Sequence, residues 1–265
     1  MSVAVEIAVE DVAGLVVAAQ SGAARVELCA DLSRGGLTPD AALVAECAQA
    51  AARLVEEREA KPGFGVHVLV RSRASAGEGL TGEGEFVYSP EEIDLMAQQA
   101  ARSVRAGAAG VVIGALTPQC AVDAPAVGAI RDAALEAATA QLRSLTLTFH
   151  RALDAMPTDA DRTAAMEQLM LLGFHRVLSS GGAQRAIDGA DCLAQMVRAA
   201  DGLIDVCAGG GIRPAHIRDL VQTAGVEDIH LSARRRTPLA PGESDPETRT
   251  DTAVVQAAVD AAGEL

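Results

Sequence analysis

The sequence predicts an α/β fold: a single-domain TIM-type (β/α)₈ barrel spanning residues 1–265. Three observations predict it. Short β-branched apolar runs alternate with amphipathic or Ala-rich stretches eight times over, the pattern of strand followed by helix. The length of 265 residues is close to the ~250 residues of a typical eightfold barrel. Several apolar runs also end in polar groups, as in Leu147-Thr148-Phe149-His150-Arg151-Ala152-Leu153-Asp154. Parallel strands deliver ligand-binding groups at their carboxyl ends in just this way. A doubly wound open sheet is the competing fold, but it usually needs fewer strands and a phosphate loop after the first. Here the Gly cluster comes late.

The elements follow in order. Strand one is expected over residues 3–9 and its helix over 10–20, then strand two over 24–29, a Gly-rich loop and an Ala-rich helix from Pro39. Strand three covers 65–71. The next helix starts at Ser89-Pro90-Glu91-Glu92, where Ser suits the N-cap and Pro the first turn. Strands four to eight are expected at 110–116, 145–150, 175–180, 203–208 and 228–233. Residues 72–88 read as a long loop at the carboxyl face, and residues 237–250, rich in Pro, Thr and charge, as a mobile lead-in to the last helix.

Composition narrows the function. Hydrophobic residues make up 49% and aromatics only 2%, so the core must be built from Ala, Val, Leu and Ile. A net charge of −14 argues against nucleic acid and against an anionic membrane surface, because no basic stripe exists to meet phosphates. No apolar run reaches membrane-spanning length. Five dispersed cysteines without a CxxC pair disfavour a disulfide framework or structural zinc and fit a reducing cytosol. With no basic n-region at the N-terminus, a cytoplasmic location is expected.

Side chains alternate faces along a strand, so Glu6 shares a face with Ala8, and Glu27 with Cys29. A buried Glu is costly unless paired, and two neighbours repel unless a cation, proton or metal lies between them. Arg71 and His150 are expected to supply positive charge, with Arg73 joining if its loop folds inward. The expected pocket comprises Glu6, Glu27, Arg71, Arg73, Thr148, His150, Ser180, His230 and Ser232. In the alternative arrangement both glutamates face the helices and pair with Arg25 or other outer groups. A second feature is Gly209-Gly210-Gly211 after strand seven, followed by Arg213-Pro214 opening a helix. Glycines let backbone N–H groups approach an anion, and a helix N-terminus favours one. Barrels commonly bind phosphate at the loops after strands seven and eight, and Ser232 and Arg234 sit on the second of these. A tight turn without a ligand is the alternative.

Together these segments resemble the CutC family, historically called copper homeostasis proteins. The matching segments are residues 22–29, Gly35-Gly36-Leu37-Thr38-Pro39, Arg71-Ser72-Arg73, residues 84–89, residues 148–154, Ser179-Ser180-Gly181, Gly209-Gly210-Gly211 and His230-Leu231-Ser232-Ala233-Arg234. The resemblance implies a TIM-type barrel, a cytosolic homodimer and a role in copper binding, with Cys29 the candidate ligand. Where the family often carries Cys at the end of strand one, this chain has Ala8. Its Arg-Pro-Arg is Arg71-Ser72-Arg73, and the loop between Arg73 and Gly84 is lengthened.

Three functions are therefore open. The first, from the resemblance, is copper homeostasis. The second is an isomerase, lyase or hydrolase acting on a small phosphorylated or carboxylated metabolite. There Gly209, Gly210 and Gly211 would hold the anion, Arg71 would steady a second negative group, and His150 or a glutamate would move a proton. Lys61, the sole lysine, lies outside any strand, which removes a lysine Schiff base from consideration. Binding without turnover is a third option.

Overall fold

β1 (Ala4–Val9) pairs in parallel with β2 (Arg25–Leu28) on one side and with β8 (Asp228–Leu231) on the other, and this second pairing closes the sheet. A computed structural model describes residues 3–74, 84–236 and 248–263. Between the closing strands run β3 (Val66–Leu69), β4 (Gly110–Ile113), β5 (Thr146–Phe149), β6 (Arg176–Ser179) and β7 (Asp205–Gly209), each paired in parallel with its neighbours. The eight strands form a closed barrel in sequence order, the TIM-type (β/α)₈ architecture expected.

Helices α1 (Val12–Gln20), α2 (Ala41–Glu56), α3 (Pro90–Arg105), α4 (Ala124–Ala140), α5 (Asp159–Leu171), α6 (Ala190–Ala200), α7 (Pro214–Ala224) and α8 (Thr252–Gly263) follow the strands in turn. Their starts are set by local chemistry. Asp11, Asp40 and Asp123 each accept a backbone N–H of the first turn, while Ser89 and Thr158 form capping boxes with Glu92 and Asp161. Such caps satisfy donors that have no partner within the helix. The outward strand residues Val5, Ile7, Val9, Val26 and Leu28 join Leu15, Val44 and Leu54 from the helices in one continuous core. Aliphatic burial between barrel and helices thus substitutes for the missing aromatics.

The strands are shorter than the apolar runs suggested. β3 ends at Leu69, so Arg71 stands just beyond it. β7 extends to Gly209, one residue past the expected end, and pairs it with His230. The Gly triplet is therefore split between a strand residue and a two-residue turn. A further pair, β9 (Arg234–Arg236) with β10 (Thr248–Thr250), was not anticipated. Most of the expected 72–88 loop and of the 237–250 lead-in, residues 75–83 and 237–247, lies outside the described residues. Among the described residues, no helix is long and apolar enough to cross a membrane.

Candidate active site

The barrel interior carries an ionic column. Arg176 opens β6 and donates from Nη1 to Glu6 Oε2 at 2.9 Å and from Nε to Asp228 Oδ2 at 3.0 Å. Arg25, opening β2, donates to the two Asp228 oxygens at 2.6 and 2.7 Å and lies 3.4 Å from Glu6. His67 Nδ1 is 3.9 Å from Glu6, and Thr148 lies 3.4 Å from Arg176 Nη1. Strands β1, β3, β5, β6 and β8 can meet this way only across the interior. Glu6 thus points inward, and Glu27 shares the inner face by lining a cavity above the column. The helix-facing alternative is set aside, while the pairing with Arg25 that it named does occur at Glu6. The source of positive charge is also corrected: Arg176 neutralises Glu6, whereas Arg71 pairs with Glu85 and burial keeps His150 neutral.

Above this column, at the carboxyl ends of the strands, a cavity of about 270 Å³ opens. Glu27, Arg71, His150, Gly210, Gly211, His230 and Ser232 line it, as does Arg151. Its apolar wall comes from Leu32, Leu69, Phe86, Leu178, Ile212 and Leu231. Seven of the residues proposed from sequence therefore converge.

The remaining candidates do not line the cavity. Glu6 and Thr148 lie beneath it in the ionic column. Gly209 is held in β7. Ser180 Oγ is committed to Asp154 at 2.9 Å and to the Ala183 carbonyl at 2.6 Å. Arg73 turns away to Glu92, the Gly84 and Val87 carbonyls and the Tyr88 ring. Arg234 pairs with Glu10 at 2.7 Å.

Three lining side chains stand out. Glu27 Oε2, Arg71 Nε and His150 Nε2 are buried and have no hydrogen-bond partner among the described residues. Buried polar atoms nearly always find partners, so each such exception calls for a reason.

Burial pushes the Glu27 carboxyl up to about 7, with Glu6 adding to the effect and His230 and Arg176 opposing it. For Glu6 burial acts upward too, but Arg176 and His230 overcome it and hold the group well below the usual carboxylate range. Two glutamates on adjacent strands thus differ in proton affinity, Glu6 held ionised and Glu27 raised toward neutrality.

Burial, reinforced by Arg71, lowers His150 to about 3, so its imidazole is neutral. Its Nδ1 accepts the Ala152 N–H at 3.1 Å, which leaves the proton on Nε2 as a donor. The ring is seated against Gly114, where a Cβ would come within 2.6 Å of it. It also packs 5.1 Å from the Phe86 ring. Arg71 is braced by Glu85 and by the Gly35 carbonyl at 3.0 Å, with its guanidinium 5.4 Å above Phe86.

Gly210 adopts φ +113 and Gly211 φ +60, a region costly for any other residue. A Cβ on Gly210 would also sit 3.1 Å from Arg151 Cζ and from Ser180 Cβ. Arg151 is steadied by Asp154 at 2.7 Å and by Ser180 at 3.0 Å. Asp154 in turn accepts from Ser179, Ser180 and Gly182, which fixes the loop after β6.

The CutC family model matches residues 3–235. The chain belongs to the CutC family. A CutC family protein from Xanthomonas campestris pv. campestris is 36% identical over 229 residues, covering 86% of this chain and 82% of that protein. One from Agrobacterium fabrum is 36% identical over 244 residues, covering 92% and 82%. The solved structure of a CutC protein from Streptococcus agalactiae, named for copper homeostasis, aligns with a TM-score of 0.72 at 26% identity. It covers 86% of this chain and 97% of that one.

The CutC name relates the family to copper, but the donors present here do not fit Cu(I). That ion favours paired soft thiolates. Cys29 is fully buried, donates to the Val9 carbonyl at 3.6 Å, and has its thiol pushed well up by burial and by Glu27 and Glu10. Ala8 stands where a partner thiol would be, beside Glu27 in the β1–β2 register. Cys207 is likewise buried with its thiol raised, on the far side of β8 and β1. Among the described residues, only Glu6, Glu27 and His230 bring three donor atoms within 4.8 Å. That set joins two hard carboxylates to one borderline imidazole and holds no soft donor, and Arg176 already neutralises Glu6 at 2.9 Å.

Proposed function

We propose that this CutC-family barrel is an enzyme that moves a proton on a small phosphorylated or carboxylated metabolite, as an isomerase or lyase. The observation that carries this reading is the set of three unpartnered buried atoms, Glu27 Oε2, Arg71 Nε and His150 Nε2, on side chains lining one cavity. A general acid–base group works best when its pKa lies near the working pH, and Glu27 at about 7 meets that condition. His150 is the complementary group. Its neutral ring with a proton on Nε2 donates to a carbonyl oxygen that gains negative charge, in the manner of other neutral-imidazole electrophiles.

The cavity has two ends suited to anions. Arg71 Nε offers one donor. Gly210, Gly211, Arg151 and Ser232 form the other, next to the N-terminus of α7, where backbone N–H groups and the helix dipole favour negative charge. The apolar wall between them excludes water from the reacting centre. We keep the cytosolic homodimer implied by the family resemblance as part of this reading. Copper handling stays with the family name; the buried thiols of Cys29 and Cys207 give it no support.

Calorimetric titration with 2-phosphoglycolate, which carries a phosphate and a carboxylate on a two-carbon frame, tests the reading. Saturable one-to-one binding that weakens at least ~10-fold in Arg71→Ala and in Gly210→Ala is expected, each substitution removing about 1.4 kcal/mol or more. Absence of binding, or affinity indifferent to both substitutions, would overturn it.

A further inference from the structure

Beside Glu27, the cavity holds a second titratable group that the reading above leaves unused. His230 lines the cavity from β8. It is the direct register partner of Glu6 on the neighbouring strand, and its Nδ1 lies 2.8 Å from Glu6 Oε1. Glu6 is ionised and an ionised carboxylate only accepts, so Nδ1 carries a proton and Nε2 is the nitrogen left to exchange one. Glu27 stands on the other flank of Glu6, with one oxygen unpartnered. Single donor atoms of the three residues lie within 4.8 Å of one another. β8, β1 and β2 thus present a fixed carboxylate flanked by two proton-exchanging groups, while His150 enters from β5 on the opposite side of the barrel.

We infer that His230, positioned by Glu6, is a second proton carrier acting with Glu27, and that the cavity serves a 1,2-proton shift in an α-hydroxy carbonyl compound bearing a phosphate or carboxylate. This inference rests on the acid–base reading and names its reaction. Glu27 carboxylate removes the C–H proton next to the carbonyl while protonated His230 gives its Nε2 proton to the carbonyl oxygen, forming an enediol. Neutral His230 then takes the proton of the original hydroxyl as Glu27 returns its proton to the former carbonyl carbon. One C–H and one O–H bond break and one of each forms. The electron pairs stay within the substrate, and both side chains end as they began, so no oxidant, reductant or co-reactant is required.

Glu27 ionised with His230 protonated, and Glu27 protonated with His230 neutral, hold equal numbers of protons and equal net charge. The groups facing His230 fit this exchange. Glu27 and Glu6 raise its affinity for a proton against the effect of burial, and Arg176 lowers it. β7 beside it contributes the buried thiol of Cys207, held protonated, and Gly209. His67 on β3 reaches Glu6 at 3.9 Å, but burial keeps it neutral.

The test is ¹⁵N NMR of histidine-labelled protein between pH 5 and 9, with His230→Asn assigning the His230 signals. The expected result is a His230 Nδ1 that stays protonated throughout while Nε2 titrates. Its midpoint should fall by at least about one pH unit in Glu27→Gln, as strongly interacting groups require, and Glu6→Gln should release the Nδ1–H tautomer. If Glu27→Gln does not fold, a two-step titration in the native protein supports the pair and a single step overturns it. An Nε2–H tautomer in the native protein, or a midpoint indifferent to Glu27, also overturns the inference. No ligand enters this measurement. Failure of 2-phosphoglycolate to bind would therefore remove the anionic-substrate reading while the coupling of His230 to Glu27 is judged by itself.

Discussion

Arg176 Nη1 donates to Glu6 Oε2 at 2.9 Å across the barrel interior, with 4% and 1% of the two side chains exposed. The same guanidinium reaches Asp228 at 3.0 Å, so together with Arg25, which holds both Asp228 oxygens and lies 3.4 Å from Glu6, it compensates two buried carboxylates and fixes Glu6 for its contact with His230. Removing one member of such a group leaves charge buried without compensation, at a cost of roughly 3–5 kcal/mol. Arg176→Ala is therefore expected to lower the urea stability by about that amount. Glu6→Gln combined with Arg176→Met should lose clearly less than the sum of the two single changes, the mark of direct coupling. Additive losses would mean that the two side chains do not stabilise one another.

Much of this was legible in the chain. Eight alternations of apolar run and helix gave the barrel, and the period of two along β1 and β2 put Glu6 with Ala8 and Glu27 with Cys29 on the inner face. The carboxyl ends of β5 and β8 delivered His150 and His230 to the cavity as their positions implied. Arg176, His67 and Asp228 sit near the starts of β6, β3 and β8, away from the carboxyl ends that carry a barrel's ligand-binding groups, and so fall outside the expected pocket. The same alternation would have found them: Arg176 is four residues before Ser180, His67 two before Leu69, and Asp228 two before His230. Other features were beyond the sequence. Arg73 and Arg234 carry the same charge as Arg71, but only tertiary structure decides that Glu92 and Glu10 claim them. Arg151 lines the cavity because Asp154, three residues on, and Ser180 from the loop after β6 fold its side chain back.

Copper gives a second prediction. A competitive Cu(I) titration of the reduced protein should reveal no tight stoichiometric site that depends on Cys29, because the thiol is fully buried and strongly disfavours its thiolate. The comparison is Cys29→Ala. Tight binding to the native protein that disappears in the variant would show that the site rearranges to expose a thiolate, contrary to the geometry described.

Stability should depend on pH in two opposing ways. Burial lowers His150 and His67 to about 3, so the unfolded chain takes up their protons first. Their contribution is full above their ordinary value of 6.5 and is lost as the pH falls toward 3, at up to about 1.4 kcal/mol per pH unit for each group. Glu27 runs the other way. Its folded value is raised from 4.5 to about 7, so its contribution is full below pH 4.5 and is lost as the pH rises to about 7. Urea midpoints from pH 4.5 to 8 should show a shallower acid decline in His150→Gln. In Glu27→Gln the rising-pH loss over that window should shrink to the part that His230, whose folded value is also raised, contributes. Parallel curves for native protein and both variants would contradict these assignments.

Glu27 is expected to carry a proton near neutrality in the free protein. Carboxyl-¹³C NMR of glutamate-labelled protein, with Glu27→Gln identifying the signal, reads this directly. A Glu27 resonance with a midpoint of about 7, accompanied by a Glu6 resonance that stays ionised to well below pH 4.5, is the predicted result. A Glu27 midpoint in the ordinary carboxylate range of about 4 to 5 would contradict the assignment of Glu27 as the proton carrier.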